Sequence, residues 1–266
     1  MEKHLLKVAG PWLILPVVLA LSCSKDEVTS LNLRYTVVNH GLDVQLDWDQ
    51  VEEADHYTVS VDDSVIYTTP DNTVLTYTVT AADAGKLITV TAVGADLSES
   101  VDFESTVEAS SLSNFGEASS AYYSAVGFNQ DGQATVYSLT DNGNYSNFDF
   151  WISDGQPGVD VGSITLASSD TSYGGAGQFN ERGNSFAAWP GGYVAPDTSY
   201  YHIYPPDSGG IVNGESYALW LDQMDDGWGL DDHFVRLDCG GIGGDGQVTM
   251  ETQYQTVGGL RWIPVD

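Results

Sequence analysis

The sequence predicts an all-β protein of two sandwiches in series, an immunoglobulin-like β-sandwich followed by a larger antiparallel β-sandwich. Three observations carry this. Residues 42–49 alternate, with Leu42, Val44, Leu46 and Trp48 on one face and Asp43, Gln45, Asp47 and Asp49 on the other, the period of a strand packed on one side and wet on the other. The alternation returns at 56–61, 74–79 and 87–93, separated by turn chemistry at Asp62-Asp63-Ser64, Pro70-Asp71-Asn72 and Ala84-Gly85-Lys86. Beyond residue 112 short apolar runs continue without a sustained helical period, and glycine pairs such as Gly191-Gly192 and Gly243-Gly244 punctuate them. Antiparallel strands joined by tight turns fit that pattern, a jelly roll being one arrangement open to them.

Ahead of the first strand, Lys3 and Lys7 precede an apolar run over 13–21 that is too short for a stop-transfer helix, so residues 1–22 are expected to be a signal peptide. Residues 23–29 then form a tether. The junction Leu19-Ala20-Leu21-Ser22-Cys23 resembles the lipobox of bacterial lipoproteins, in which the cysteine thiol takes a diacylglycerol and becomes the new N-terminus. Lipoboxes favour Leu and then a small residue where Ala20 and Leu21 stand here. The run Ser24-Lys25-Asp26-Glu27 resembles the export signal of Bacteroidota surface lipoproteins. These resemblances imply lipidation at Cys23, attachment to the outer membrane through that lipid, and display toward the cell exterior; a charged, solvated tether is the plainer alternative for 24–27.

The first domain is expected over 30–108. The order Leu46-Asp47-Trp48, then His56-Tyr57-Thr58-Val59, then Ile88-Thr89-Val90-Thr91-Ala92 resembles a fibronectin type III domain. The resemblance implies a core tryptophan at Trp48 and a core aromatic at Tyr57. It departs from the family near Ile88, where the tyrosine that usually opens the penultimate strand is missing, which leaves a more general immunoglobulin-like sandwich open. Such a fold hosts many functions and specifies none, so a spacer or adhesion module is implied. His40 and His56 read as turn and surface residues.

Residues 105–113 are small and polar, with Ser110, Ser111 and Ser113, and suit a linker ahead of a second domain over 112–266. Strands are expected there at 134–139, 148–152, 163–167, 199–204, 217–221, 233–237, 247–254 and 260–263. Five tryptophans fall in this half: Trp151, Trp189, Trp220, Trp228 and Trp262.

Charge narrows the function classes. The chain holds 38 acidic against 8 basic residues, and loss of residues 1–22 leaves 37 against 6, a formal charge of −31. Nucleic acid and anionic lipid surfaces are therefore poor partners. With 42% hydrophobic residues the acidity is not a mark of disorder; it resembles proteins of saline habitats, where hydrated carboxylates keep a folded surface soluble. With Cys23 lipidated, Cys239 has no intramolecular partner, which removes a disulfide framework or cysteine zinc site and makes Cys239 a small buried hydrophobe.

Catalytic signatures are missing: there is no Gly-x-Ser-x-Gly elbow, no His-Glu-x-x-His and no phosphate-binding loop. Asp149 is a carboxylate that a glycosidase-like pair would draw on, yet nothing selects its partner. The chain therefore reads as a binding protein and not an enzyme. Trp228, Trp189, Tyr200 and Tyr201 are candidate ligand-binding aromatics, because aromatic faces stack on sugar rings; core packing is the competing role for each. A lipid anchor, an immunoglobulin-like spacer and a terminal β domain resemble the layout of surface glycan-binding lipoproteins, which implies a polysaccharide ligand and an outer-membrane transporter as partner. The stretches 217–221, 232–237 and 247–255 resemble the C-terminal part of HmuY-like haem-binding lipoproteins, which implies haem or metal capture through His202 and His233. A structural or adhesion protein without a small ligand is the third alternative. The 222–232 loop is not an EF-hand, because Met224 and His233 break that pattern, but Asp222, Asp225, Asp226, Asp231 and Asp232 offer the oxygen ligands Ca²⁺ prefers.

Overall fold

The computed structural model describes residues 30–118, 120–153, 164–171, 179–202, 210–222 and 224–264. Signal peptide, lipobox, Cys23 and tether lie outside them.

The first sandwich has seven strands. β1 (Arg34–Val38), β2 (Asp43–Asp47) and β5 (Thr76–Val79) form a three-stranded sheet in the order β1-β2-β5. β3 (His56–Val61), β4 (Ser64–Thr68), β6 (Ile88–Val93) and β7 (Leu97–Val101) form the facing sheet in the order β4-β3-β6-β7. All pairings are antiparallel, the layout of an immunoglobulin-like sandwich. The alternation read from the sequence sets its core: Val44, Leu46, Tyr57, Val59, Ile88 and Val90 are buried, and Trp48 packs against Tyr57 with ring centroids 5.5 Å apart. The Tyr57 hydroxyl accepts from the Val51 amide, so its buried phenol is satisfied.

The second sandwich pairs a four-stranded with a five-stranded sheet. β9 (Ala125–Phe128), β10 (Ala134–Tyr137), β11 (Phe150–Ser153) and β12 (Thr165–Ser168) run in the order β10-β9-β11-β12. β8 (Val107–Leu112), β13 (Ser185–Ala188), β14 (Ser216–Leu221), β15 (His233–Ile242) and β16 (Val248–Gln255) run in the order β13-β14-β15-β16-β8. The run from β13 to β16 is a meander, with consecutive strands adjacent, so the interleaved keys of a jelly roll do not form. The inner faces share a core of Phe150, Ile152, Leu166, Phe186, Leu219, Val235 and Met250. Cys239 is buried there as a free thiol.

Three differences from the sequence reading have physical causes. Residues 107–112 are not a linker: they form β8, whose register pairs Met250 with Leu112 and Gln255 with Val107. Edge strands carry polar side chains, so this one has no apolar stripe to mark it. Residues 198–200 form a 3₁₀ turn instead of opening a strand, because Asp197 caps it by accepting from the Ser199 amide; the strand contact that follows is a bridge between His202 and Phe186. Residues 260–263 make an isolated bridge, Val194 with Trp262, and not a ladder.

That last segment ties the sandwiches together. In extended chain successive side chains point to opposite sides. Leu260 and Trp262 enter the core of the first sandwich, while Ile263 enters a cluster on the outer face of the five-stranded sheet with Ala187, Ala195, Tyr201, Ala218 and Phe234. Gly41 is required at this junction. Its φ is +79°, and a Cβ there would sit 2.2 Å from the Gly259 carbonyl oxygen.

Candidate functional site

The β13 edge of the five-stranded sheet carries an open cleft of about 340 Å³, lined by Ala187, Ala188, Pro190, Pro196, Asp197, Tyr200 and His202. β13 supplies the small residues of its floor, and Pro190 and Pro196 frame a loop whose turn at Gly191 and Gly192 uses positive φ. Tyr200 projects from the 3₁₀ turn with 66% of its surface exposed. His202 is exposed beside it.

Asp197 is the ionised group of the lining. Hydrogen bonds from Ser199 hold its carboxyl below the usual carboxylate range, with smaller contributions from the charges of Arg261 and His40. Its Oδ1 accepts from the Ser199 amide at 3.0 Å, and its Oδ2 lies 3.6 Å from Arg261 Nη1. Arg261 is buried and donates from Nε and Nη2 to the Ala195 carbonyl. Its Nη1 has no hydrogen bond, so the guanidinium faces Asp197 as a charge and orients it from behind. Burial lowers the pKa of Arg261.

Of the four aromatics singled out in the sequence, Tyr200 lines this cleft. Trp189 lies beside it, half-buried against the sheet, with the Arg236 guanidinium 5.4 Å from its ring, a cation–π contact. Tyr201 points the other way. It is buried against Trp220 and Phe234, its hydroxyl has no partner, and burial raises its pKa. Trp228 is not an outward platform: its indole donates to the Gly259 carbonyl at 3.0 Å, and its ring packs on both sandwiches and on His40, 5.2 Å away.

The five carboxylates of the 222–232 loop do not converge; among the described residues no three His, Cys, Asp or Glu side chains form a metal-binding group. Buried Asp222 accepts from the Asp226 and Gly227 amides and buried Asp232 from the Gly229 amide at 2.8 Å, so both shape the loop from inside. Asp225, Asp226 and Asp231 are exposed. Burial raises the Asp232 pKa to about 6 against the opposing pull of the Gly229 amide. The Trp220 indole N–H also opposes that rise, though neither it nor the Asp232 Oδ1 makes a hydrogen bond of good geometry.

The histidine pair does not assemble. His202 bridges to Phe186 on β13, and His233 sits on β15 opposite Leu221 of β14. Three strand spacings separate them, about 14 Å across the sheet, too far for one iron. His233 Nδ1 is hydrogen-bonded with the Gln255 carbonyl at 2.9 Å, and its ring stacks on Tyr254. Asp149 is likewise structural. It is buried, ion-paired with Arg182, and accepts from the Phe128 amide at 2.7 Å. Desolvation raises its pKa against the pull of Arg182, and among the described residues its side-chain partners are Arg182, Asn184 and the Phe128 amide.

Sequence reasoning passed over Asp197, Arg261 and the position of His40. The Pro196-Asp197-Thr198-Ser199 run is a readable capping signal. Arg261 and His40 carry none, because tertiary contact alone brings them to the loop.

No protein-family profile and no curated protein matches this chain. Among solved structures it is similar to the crystal structure of a DUF4466 family protein from Parabacteroides merdae, at 11% identity and a TM-score of 0.38 over 85% of this chain and 99% of that one. A likeness that remote carries no functional argument.

Proposed function

We propose that the protein is a lipid-anchored, surface-displayed carbohydrate-binding protein whose C-terminal β domain takes a sugar in the cleft beside Tyr200. One observation carries this reading: an exposed aromatic ring, an ionised acceptor and an imidazole converge on a small apolar cleft. Sugar rings offer apolar C–H faces for stacking and hydroxyls for donation, and that combination matches such a lining. Anchoring through Cys23 and partnership with an outer-membrane transporter belong to the same reading and rest on the N-terminal sequence. The separation of His202 and His233 argues against the haem alternative.

The test is retention of the Cys23→Ala chain on an array of neutral polysaccharides, followed by Tyr200→Ala. Binding that falls at least tenfold in Tyr200→Ala supports the reading. Retention of no glycan overturns it in favour of a structural or adhesion role.

A further inference from the structure

We propose that the ligand site is composite, with His40 of the first sandwich forming its far end, so that it takes an extended oligosaccharide instead of a single sugar. This rests on the carbohydrate reading above and deepens it. Asn39, His40 and Gly41 hold consecutive left-handed conformations, with φ of 52°, 51° and 79°. Such a run at two non-glycine positions costs free energy and persists only where surroundings enforce it. The hairpin between β1 and β2 sets these angles, closed by the Leu42 amide on the Asn39 carbonyl at 3.2 Å, and the Arg261 amide ties the turn to the second sandwich by donating to the Gly41 carbonyl at 3.1 Å. The same residue faces Asp197 through its guanidinium, 3.6 Å from Oδ2, so one residue links the turn that carries His40 to the carboxylate of the cleft.

The turn presents His40 outward. Its ring is exposed and leans on Trp228 at 5.2 Å with 33° between the planes, on a turn linked through Arg261 to Asp197. An imidazole backed by an indole offers a second ring face with donor and acceptor atoms. It lies on the side of Asp197 that the first sandwich supplies. His40 lies outside the lining of the cleft, so on this proposal a disaccharide seated at Tyr200 leaves that face unused and a longer chain reaches it.

Isothermal titration of the Cys23→Ala chain with neutral disaccharides and hexasaccharides of the cello, xylo and manno series tests this. Asn is the replacement for His40 because it tolerates positive φ, and Gly is the second variant should Asn perturb the turn. The wild type should bind a hexasaccharide about tenfold tighter than its disaccharide, about 1.4 kcal/mol. His40→Asn should lose most of that gain with disaccharide affinity and melting temperature unchanged. The His40 imidazole NMR signals should shift on addition of hexasaccharide and not of disaccharide. Equal hexasaccharide affinity in wild type and His40→Asn overturns the composite site while leaving the cleft intact. Failure of every glycan to bind overturns the carbohydrate reading and this inference together.

Discussion

The indole N–H of Trp262 donates to the Leu42 carbonyl at 2.9 Å, which places a residue near the C-terminus inside the sandwich nearest the N-terminus. Trp262 is fully buried there and meets Phe103 edge to face at 5.2 Å. The arrangement makes the first domain dependent on a segment of the second.

Trp262→Ala should therefore destabilise the first sandwich as well as the second, by about 3–5 kcal/mol for loss of a buried aromatic. Urea unfolding followed at the Trp48 indole N–H signal by NMR, which separates it from the tryptophans of the second domain, reads this. An unchanged Trp48 transition would show that the first sandwich stands alone.

Asp232 should give an unusual pH response. Its carboxyl has a folded pKa of about 6, above the unfolded value, so the folded state holds the proton more tightly and this group's contribution to stability rises as pH falls from about 7 to 4. Asp232→Asn should be more stable than wild type at pH 8 and equal to it near pH 4. Comparing urea midpoints of the two chains cancels the response of the other carboxylates. A variant less stable at both pH values would refute the assignment.

The cleft should discriminate by charge. Asp197 is the ionised group lining it, and the chain has a formal charge of −30, so uronic acid oligomers should bind more weakly than their neutral counterparts at low salt. Asp197→Asn should weaken a neutral oligosaccharide about tenfold, the worth of a hydrogen bond to a charged acceptor, and narrow the neutral-to-acidic ratio. Equal retention of both classes at low salt would rule out this role for Asp197.

Ca²⁺ and chelator should leave the melting temperature unchanged, since Asp222 and Asp232 already accept backbone amides and no three acids of the loop form a metal-binding group among the described residues. A rise of several degrees with millimolar Ca²⁺, abolished in Asp226→Ala, would restore the loop as a metal site.

Cys23→Ala should move the protein from the membrane to the soluble fraction. The prediction comes from the Ser22-Cys23 junction and its apolar run, and unchanged sedimentation with membranes would remove the lipid anchor from the proposal.

Much of the fold was determined by local pattern. Alternation assigns Val44, Leu46 and Trp48 to one packed face, and the structure buries all three, because a strand with one wet face must segregate its side chains. Patterning is silent where a strand is polar on both faces. β8 looked like a linker, and only its ladder with Gln255 and Met250 made it a strand. The site was less legible still. Tyr200 and Tyr201 are adjacent and chemically equal in the sequence, and the turn capped by Asp197 sends one to solvent and the other beneath Trp220. Trp228 carried the strongest local signal for display, between two glycines in an acidic loop, yet the meeting of the sandwiches took its indole for the Gly259 carbonyl. Periodicity determines which face of a strand is buried. Which surface another part of the chain then covers is decided by contacts between residues far apart in sequence, such as His40, Asp197 and Arg261, and no local pattern encodes those.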